Sequence, residues 1–289
     1  MVKNENHAWS ILAKLIPEKS EVLDIGCSSG NFGAELIAKK NCVVDGIEPD
    51  QTDSKLAAKR LRTVWTLNIE TDSLAAIRRK YDVIVMADVI EHLVFPAAAL
   101  RRLKSLLKPS GRLVFSVPNM AHISVRLALL AGNFTYTETG LLDKTHLHYY
   151  DHDELQHVLD EAGLAVRQID YTQIQYPQPL IDKKLKALGL TASKQFYDRL
   201  SAPAYHAYQF IGEAEYVSGK PVHKPITAKQ AVQNDFIQMS QEVQYTTNRL
   251  LATQKELQRT QQELEAVKNS KAYRLARRAS TLIHPTKPI

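Results

Sequence analysis

Apolar and polar positions alternate between two periods through the first two-thirds of the chain. Short runs rich in Val, Ile and Leu predict strands at residues 21–25, 42–47, 81–86 and 112–117, with a weaker one at 63–67. Between them, helical spacing predicts helices over 31–40, 52–61 and 95–107, the last stopped by the turn phrase Lys108-Pro109-Ser110-Gly111. Asp151 is the expected N-cap of a helix that Gly163 ends, because Glu154 follows three residues on. Strands at 165–172 and 205–217 flank a basic, helical stretch at 178–201. Strands alternating with helices predict an α/β fold: a Rossmann-like, doubly wound sheet of seven strands with helices on both faces. The last two strands are expected to pair antiparallel at one edge.

The pattern changes after residue 217. Residues 218–228 are rich in Pro, Gly and Lys and read as a linker. In residues 229–270, Phe236, Val243, Leu250, Leu257 and Leu264 recur every seven positions. Three places further on stand Met239, Thr246, Thr253, Thr260 and Val267. Such a seam predicts a long C-terminal helix in a coiled coil, hence a homo-oligomer. A free amphipathic helix is the alternative. Residues 271–289 form a basic amphipathic tail. The expected domains are therefore an α/β body over 1–217, the linker, the coil and the tail.

Charge sharpens that division. The chain of 289 residues carries 37 Lys+Arg against 31 Asp+Glu. Of these, 12 basic and 5 acidic groups lie from Ser218 onward, so a near-neutral body carries a basic end. An anionic membrane surface or a protein is the expected partner of that end. Nucleic acid is disfavoured because aromatics do not interleave with the charges. No apolar run is long enough to span a bilayer, and the first residues lack a signal-peptide pattern. Cys27 and Cys42 read as reduced core thiols. The expected location is cytoplasmic, with peripheral contact at the inner membrane face open.

The most informative stretch is Val22-Leu23-Asp24-Ile25-Gly26-Cys27-Ser28-Ser29-Gly30-Asn31-Phe32-Gly33. A strand runs into a turn of small residues and a helix follows, which lets a ligand approach the backbone. Asp24 at the strand end would repel a diphosphate but suits an ammonium group. Some twenty residues later, Glu48 ends the second strand, where a carboxylate can accept from both hydroxyls of a ribose. A nucleoside with a cationic amino-acid part satisfies both, and S-adenosylmethionine is such a ligand.

At this point the sequence resembles the class I S-adenosylmethionine-dependent methyltransferases, over about residues 7 to 217. VLDIGCSSGNFG, GIEPD, LNIET, YDVIVMADVIEHL and LKPSGRLVFSVPN follow one another in that family's order. The resemblance implies that Gly26, Cys27, Ser28, Gly30 and Phe32 surround the methionine part, with Asp24 orienting its amino group. It implies that Glu48 and Pro49 hold the ribose, and that Asn68 and Ile69 flank adenine, Asn68 offering its side-chain oxygen. Ala87 and Asp88 would face the methionine end or the acceptor, and S-adenosylhomocysteine would be the product. Ser28 replaces a common glycine, which is expected to be tolerable if that residue avoids positive φ. Asn68 stands where Asp is commoner.

Methyl transfer to a hydroxyl needs a base near the carboxyl ends of the fourth and fifth strands. His92, beside Glu91, is one candidate. His146 is the other, with Asp143 as its orienting partner. Asn119, His122, Arg126 and His148 are expected acceptor contacts, and no metal is expected. The segment DKTHLHYYDHDELQHVLDEAGL also resembles methyltransferases of bacterial glycan and polysaccharide assembly, which implies a sugar hydroxyl as acceptor. A small-molecule or quinone O-methyltransferase, and a coiled-coil scaffold with a cofactor-binding body, are the alternatives.

Overall fold

Neighbouring residues of β1 (Glu21–Ile25) face opposite sides of a sheet, and each finds its own core. Val22 packs with Leu12 and Ile16 just beyond α1 (Ala8–Leu15), and with Leu36 of α2 (Asn31–Lys40). Leu23 belongs to the other layer, with Leu100 and Leu103 of α4 (Pro96–Leu103) and Leu155 and Leu159 of α6 (His152–Glu161). The same switch occurs along β4 (Tyr81–Ala87), where Val83 and Val85 face one core and Ile84 and Met86 the other. Strands buried on both faces read as continuous apolar runs, which is why the sequence shows them so clearly.

The structure is a computed structural model that describes residues 8–200 and 205–217, with positions 257 and 260. The chain divides into two units, Met1–Gln238 and Met239–Ile289, and the sheet lies in the first. The linker at 218–228, the coiled coil at 229–270 and the basic tail at 271–289 fall outside the described residues, apart from those two positions.

Seven strands run in the order β3-β2-β1-β4-β5-β7-β6, adding β2 (Val43–Ile47), β3 (Val64–Trp65), β5 (Leu107–Pro118), β6 (Leu164–Gln173) and β7 (Ala207–Tyr216). The first five are parallel, and β7 is antiparallel to both β5 and β6. The last strand among the described residues, β7, is therefore an interior one, with β6 at the edge. Residues 108–111 do not form the expected free turn. They enter β5 with an irregular register opposite β4, while the helix before them ends at Leu103. The helical stretch expected at 178–201 holds two helices, α7 (Gln178–Ala187) and α8 (Lys194–Leu200), packed with α5 (Ile123–Leu130). Among the described residues, no helix is long and apolar enough to cross a membrane.

Candidate active site

The turn after β1 alternates left-handed residues: Gly26 at φ 65°, Ser28 at 46° and Gly30 at 80°. Gly26 and Cys27 N–H donate to the Ile47 carbonyl at 2.8 and 3.2 Å, which ties the turn to the end of β2. Glycine at 26 is required twice over, since a Cβ there would lie 2.8 Å from Val89 Cγ2. Ser28 departs from expectation, because it does adopt positive φ. The Glu48 carboxylate supplies the reason: its Oε2 accepts the Ser28 N–H at 2.8 Å, while Ser28 Oγ donates to Asp53 at 3.0 Å. Left-handed backbone costs a non-glycine residue on the order of 1 kcal/mol, which such bonds offset. The helix after the turn starts at Gly30 without a side-chain cap, so its first N–H groups face the turn.

Glu48 is buried, and its Oε1 also accepts from Asp50 N–H at 2.9 Å. Asp24 is buried beneath the same turn, with Oδ2 unpartnered. Burial, and then the charge of Glu48, push its carboxyl up to about 7. Burial first, then Asp24 and Glu48, push the Cys27 thiol up to about 12, so it serves as an apolar wall. An orphaned carboxylate oxygen beneath an open glycine turn fits an ammonium group. S-adenosylmethionine carries one, and it supplies an electrophilic methyl group when bound. Around it, Asp24 would take the ammonium, Glu48 the ribose hydroxyls, and the Ile69 side chain the adenine face. Asn68 Oδ1 accepts the Glu70 N–H at 2.8 Å, so the oxygen expected to meet adenine already closes a local turn. Phe32 is core: its buried ring lies 5.4 Å from that of Trp9, in the cluster that also holds Cys27.

Asp88, just past β4, is left-handed at φ 54° and held from two strands. Ser116 Oγ of β5 donates to its Oδ1 at 2.7 Å, and Gln209 Nε2 of β7 donates to both oxygens at 2.9 Å. Burial raises its carboxyl, and those two donors work against the rise.

The turn Ile90–His92 then carries Glu91 and His92. The backbone N–H groups of Leu147 and His148 donate to the Glu91 carbonyl at 2.9 and 3.1 Å, docking the later loop on this turn. Docking brings the rings of His92 and His146, which the sequence offered as alternative bases, to 4.9 Å. The charge of the expected Asp143 acts on His146, and Asp143 Oδ1 also accepts from the N–H and hydroxyl of Thr145 at 2.8 and 2.7 Å, which closes a local turn. A second acid lies beside the ring, with Glu91 Oε1 4.0 Å from His146 Nε2. Burial, then the neighbouring His92, lowers the His146 pKa, so its imidazole is neutral and able to accept a proton or a cation.

The four expected acceptor contacts do not join this cluster. Asn119 is fully buried, with Nδ2 donating to the Ala207 carbonyl and Oδ1 accepting from Ala121 N–H. His122 is also fully buried: it caps α5, and its ring bridges Ser124 and the Ile174 carbonyl. Burial pushes it down to about 4. Arg126 stacks over the Tyr205 ring at 4.4 Å and donates to the Ala121 carbonyl. His148 turns to the other side of its loop and lines a groove between α4 and α6, with Phe95 and Tyr150. Glu91 and Gln209 are the residues whose roles the sequence hid. Glu91 was visible beside His92 but unassigned. Gln209 had one signal, a lone amide in the apolar run at 205–217.

The mixed, mainly parallel sheet, the glycine turn and the two buried acids at the strand ends define a nucleoside-binding α/β enzyme. Residues 7–169, more than half of the chain, match the family model described as "Methyltransferase domain", and the chain belongs to that family. It is an S-adenosylmethionine-dependent methyltransferase. A ubiquinone biosynthesis O-methyltransferase of Acinetobacter baylyi is 27% identical over 181 residues, 60% of this chain and 71% of that one. The protein of the same name from Histophilus somni is 30% identical over 168 residues, 52% and 67% of the two chains. Among solved structures, one chain of the Haloferax volcanii complex containing the Trm112 methyltransferase activator superposes with a TM-score of 0.50. It is 14% identical, covers 75% of this chain and 91% of that one, and shares the fold.

Proposed function

We propose that the protein methylates a hydroxyl of a small-molecule acceptor, delivered to the cluster of Glu91, His92 and His146. The observation that carries this reading is the buried Glu91 carboxyl, both oxygens unpartnered, facing a neutral His146. Such a group is what removal of a hydroxyl proton calls for, whereas amine and carbon acceptors need less help. The relatives named as ubiquinone O-methyltransferases support a small aromatic acceptor over the glycan hydroxyl expected from the 143–164 segment. Asp88 lies between the cofactor turn and this cluster in sequence, and its fixed carboxylate would orient one partner against the other.

The test is label transfer from methyl-labelled S-adenosylmethionine to phenolic quinone precursors, set beside sugar-lipid extracts. Label in the phenols alone supports the proposal; label in the glycans alone overturns it. His146→Ala is expected to lower turnover at least a hundredfold while S-adenosylhomocysteine affinity stays within about threefold. Unchanged turnover would remove the cluster from the reaction. We further infer that the chain associates through residues 229–270; light scattering of the full chain against one ending at 217 checks it.

A further inference from the structure

Glu91, His92 and His146 each bring one donor atom to within 4.8 Å of the others. Two stand on the turn after β4, and the third is carried in by the loop docked on that turn. His92 is oriented by backbone, with Nδ1 3.1 Å from the Thr145 carbonyl, and His146 Nε2 turns toward Glu91. An imidazole fixed by a carbonyl on one nitrogen and free on the other is how proteins present histidine to a cation.

Glu91 supplies an independent observation. Its side chain is 1% exposed and neither oxygen has a hydrogen-bond partner. A carboxylate removed from water without a partner costs several kcal/mol, and protonation would leave an O–H equally unsatisfied. One cation among these three groups removes the deficit.

We propose that Glu91, His92 and His146 form a binding site for one divalent transition-metal cation. The inference rests on the O-methyltransferase reading for its purpose, which is to bind the acceptor oxygen. Two imidazoles and one carboxylate suit zinc, manganese or iron better than calcium or magnesium, which prefer all-oxygen shells. Metal–ligand distances of about 2.0–2.2 Å place ligand atoms roughly 3–3.5 Å apart, so small side-chain rotations close the set. Three protein ligands leave positions open. A hydroxyl bound there becomes more acidic, and its proton passes to bulk water. The cluster would then assist removal of the acceptor's hydroxyl proton by polarising its oxygen.

Cobalt(II) is the probe, because its visible bands report the ligand set. The full chain, stripped with chelator, is expected to take up one equivalent per chain with a spectrum of mixed nitrogen and oxygen ligation. The double variant H92A/H146A is expected to lose at least about a hundredfold in cobalt affinity, with S-adenosylhomocysteine affinity unchanged within about threefold. No stoichiometric uptake, or uptake with the same spectrum in H92A/H146A, overturns the site. If the double variant does not fold, E91Q alone must still shift the cobalt spectrum; an unchanged spectrum is equally fatal. Turnover that falls in His146→Ala yet ignores chelator would overturn the cation and leave the methyltransferase reading standing. Failure of that reading shows separately, as absence of label transfer.

Discussion

Gln209 donates from one amide nitrogen to both carboxylate oxygens of Asp88, at 2.9 Å each, across 121 residues of chain. Thr172 Oγ1 in turn donates to Gln209 Oε1 at 3.3 Å, so three strands hold one acid. Gln209→Leu is expected to free Asp88 from one of the two donors that oppose burial, raising its pKa further. If ionised Asp88 is the working form, the acid limb of the pH–rate profile moves to higher pH. The profile of Gln209→Leu against wild type checks this, and an unmoved limb refutes it.

Asp24 gives the cofactor pocket its own pH dependence. Its carboxyl titrates near pH 7, and an ammonium partner favours the ionised form. S-adenosylhomocysteine is therefore expected to bind more tightly as pH rises from 6 to 8. Asp24→Asn lacks the titrating group, so the difference between the two pH curves isolates it. Parallel curves from calorimetry would show that Asp24 does not meet the ligand.

Acid should loosen the fold through His122. Its pKa is depressed from 6.5 to about 4 by burial, so the unfolded chain binds a proton that the folded chain refuses. Stability is full above pH 6.5 and falls by up to about 3 kcal/mol as pH drops toward 4. Urea melts at pH 7 and 4.5 measure the loss, which His122→Gln should diminish.

Gly212 of β7 pairs with Phe115 of β5, and a Cβ there would sit 2.7 Å from the Phe115 ring and 2.8 Å from the Gln168 carbonyl oxygen. Gly212→Ala is expected to destabilise by about 1–3 kcal/mol, read as a lower melting temperature. Gly26→Ala meets both strain and Val89, and should abolish S-adenosylhomocysteine binding even in chains that still fold.

Much of this was legible beforehand, for a physical reason. Buried parallel strands announce themselves as Val- and Ile-rich runs, and the Asp151 cap and Gly163 stop depend on neighbours a few residues away. Asp24, Glu48 and the glycines sit where chain connectivity alone places them. The histidine cluster was half legible: His92, His146 and Asp143 were marked, but Glu91 was left without a role. Sequence proximity suggested Asp143, which also holds Thr145, whereas the approach of Glu91 to His146 depends on a loop docked from fifty residues away. Asn119, His122 and Arg126 looked like ligand contacts because polar groups after a strand often are. Their bonds to Ala207, Ile174 and Ala121 close the seams between segments instead, and two of these partners lie more than fifty residues away.

The position of β7 also bears on how the protein is made. A ribosome that has released only the first two hundred residues has produced the turn, both buried acids and all three members of the histidine cluster. Yet β5 still presents a bare edge, β6 has nothing to pair with, and Asp88 lacks its amide clamp. The pocket is written early in the message and becomes rigid late.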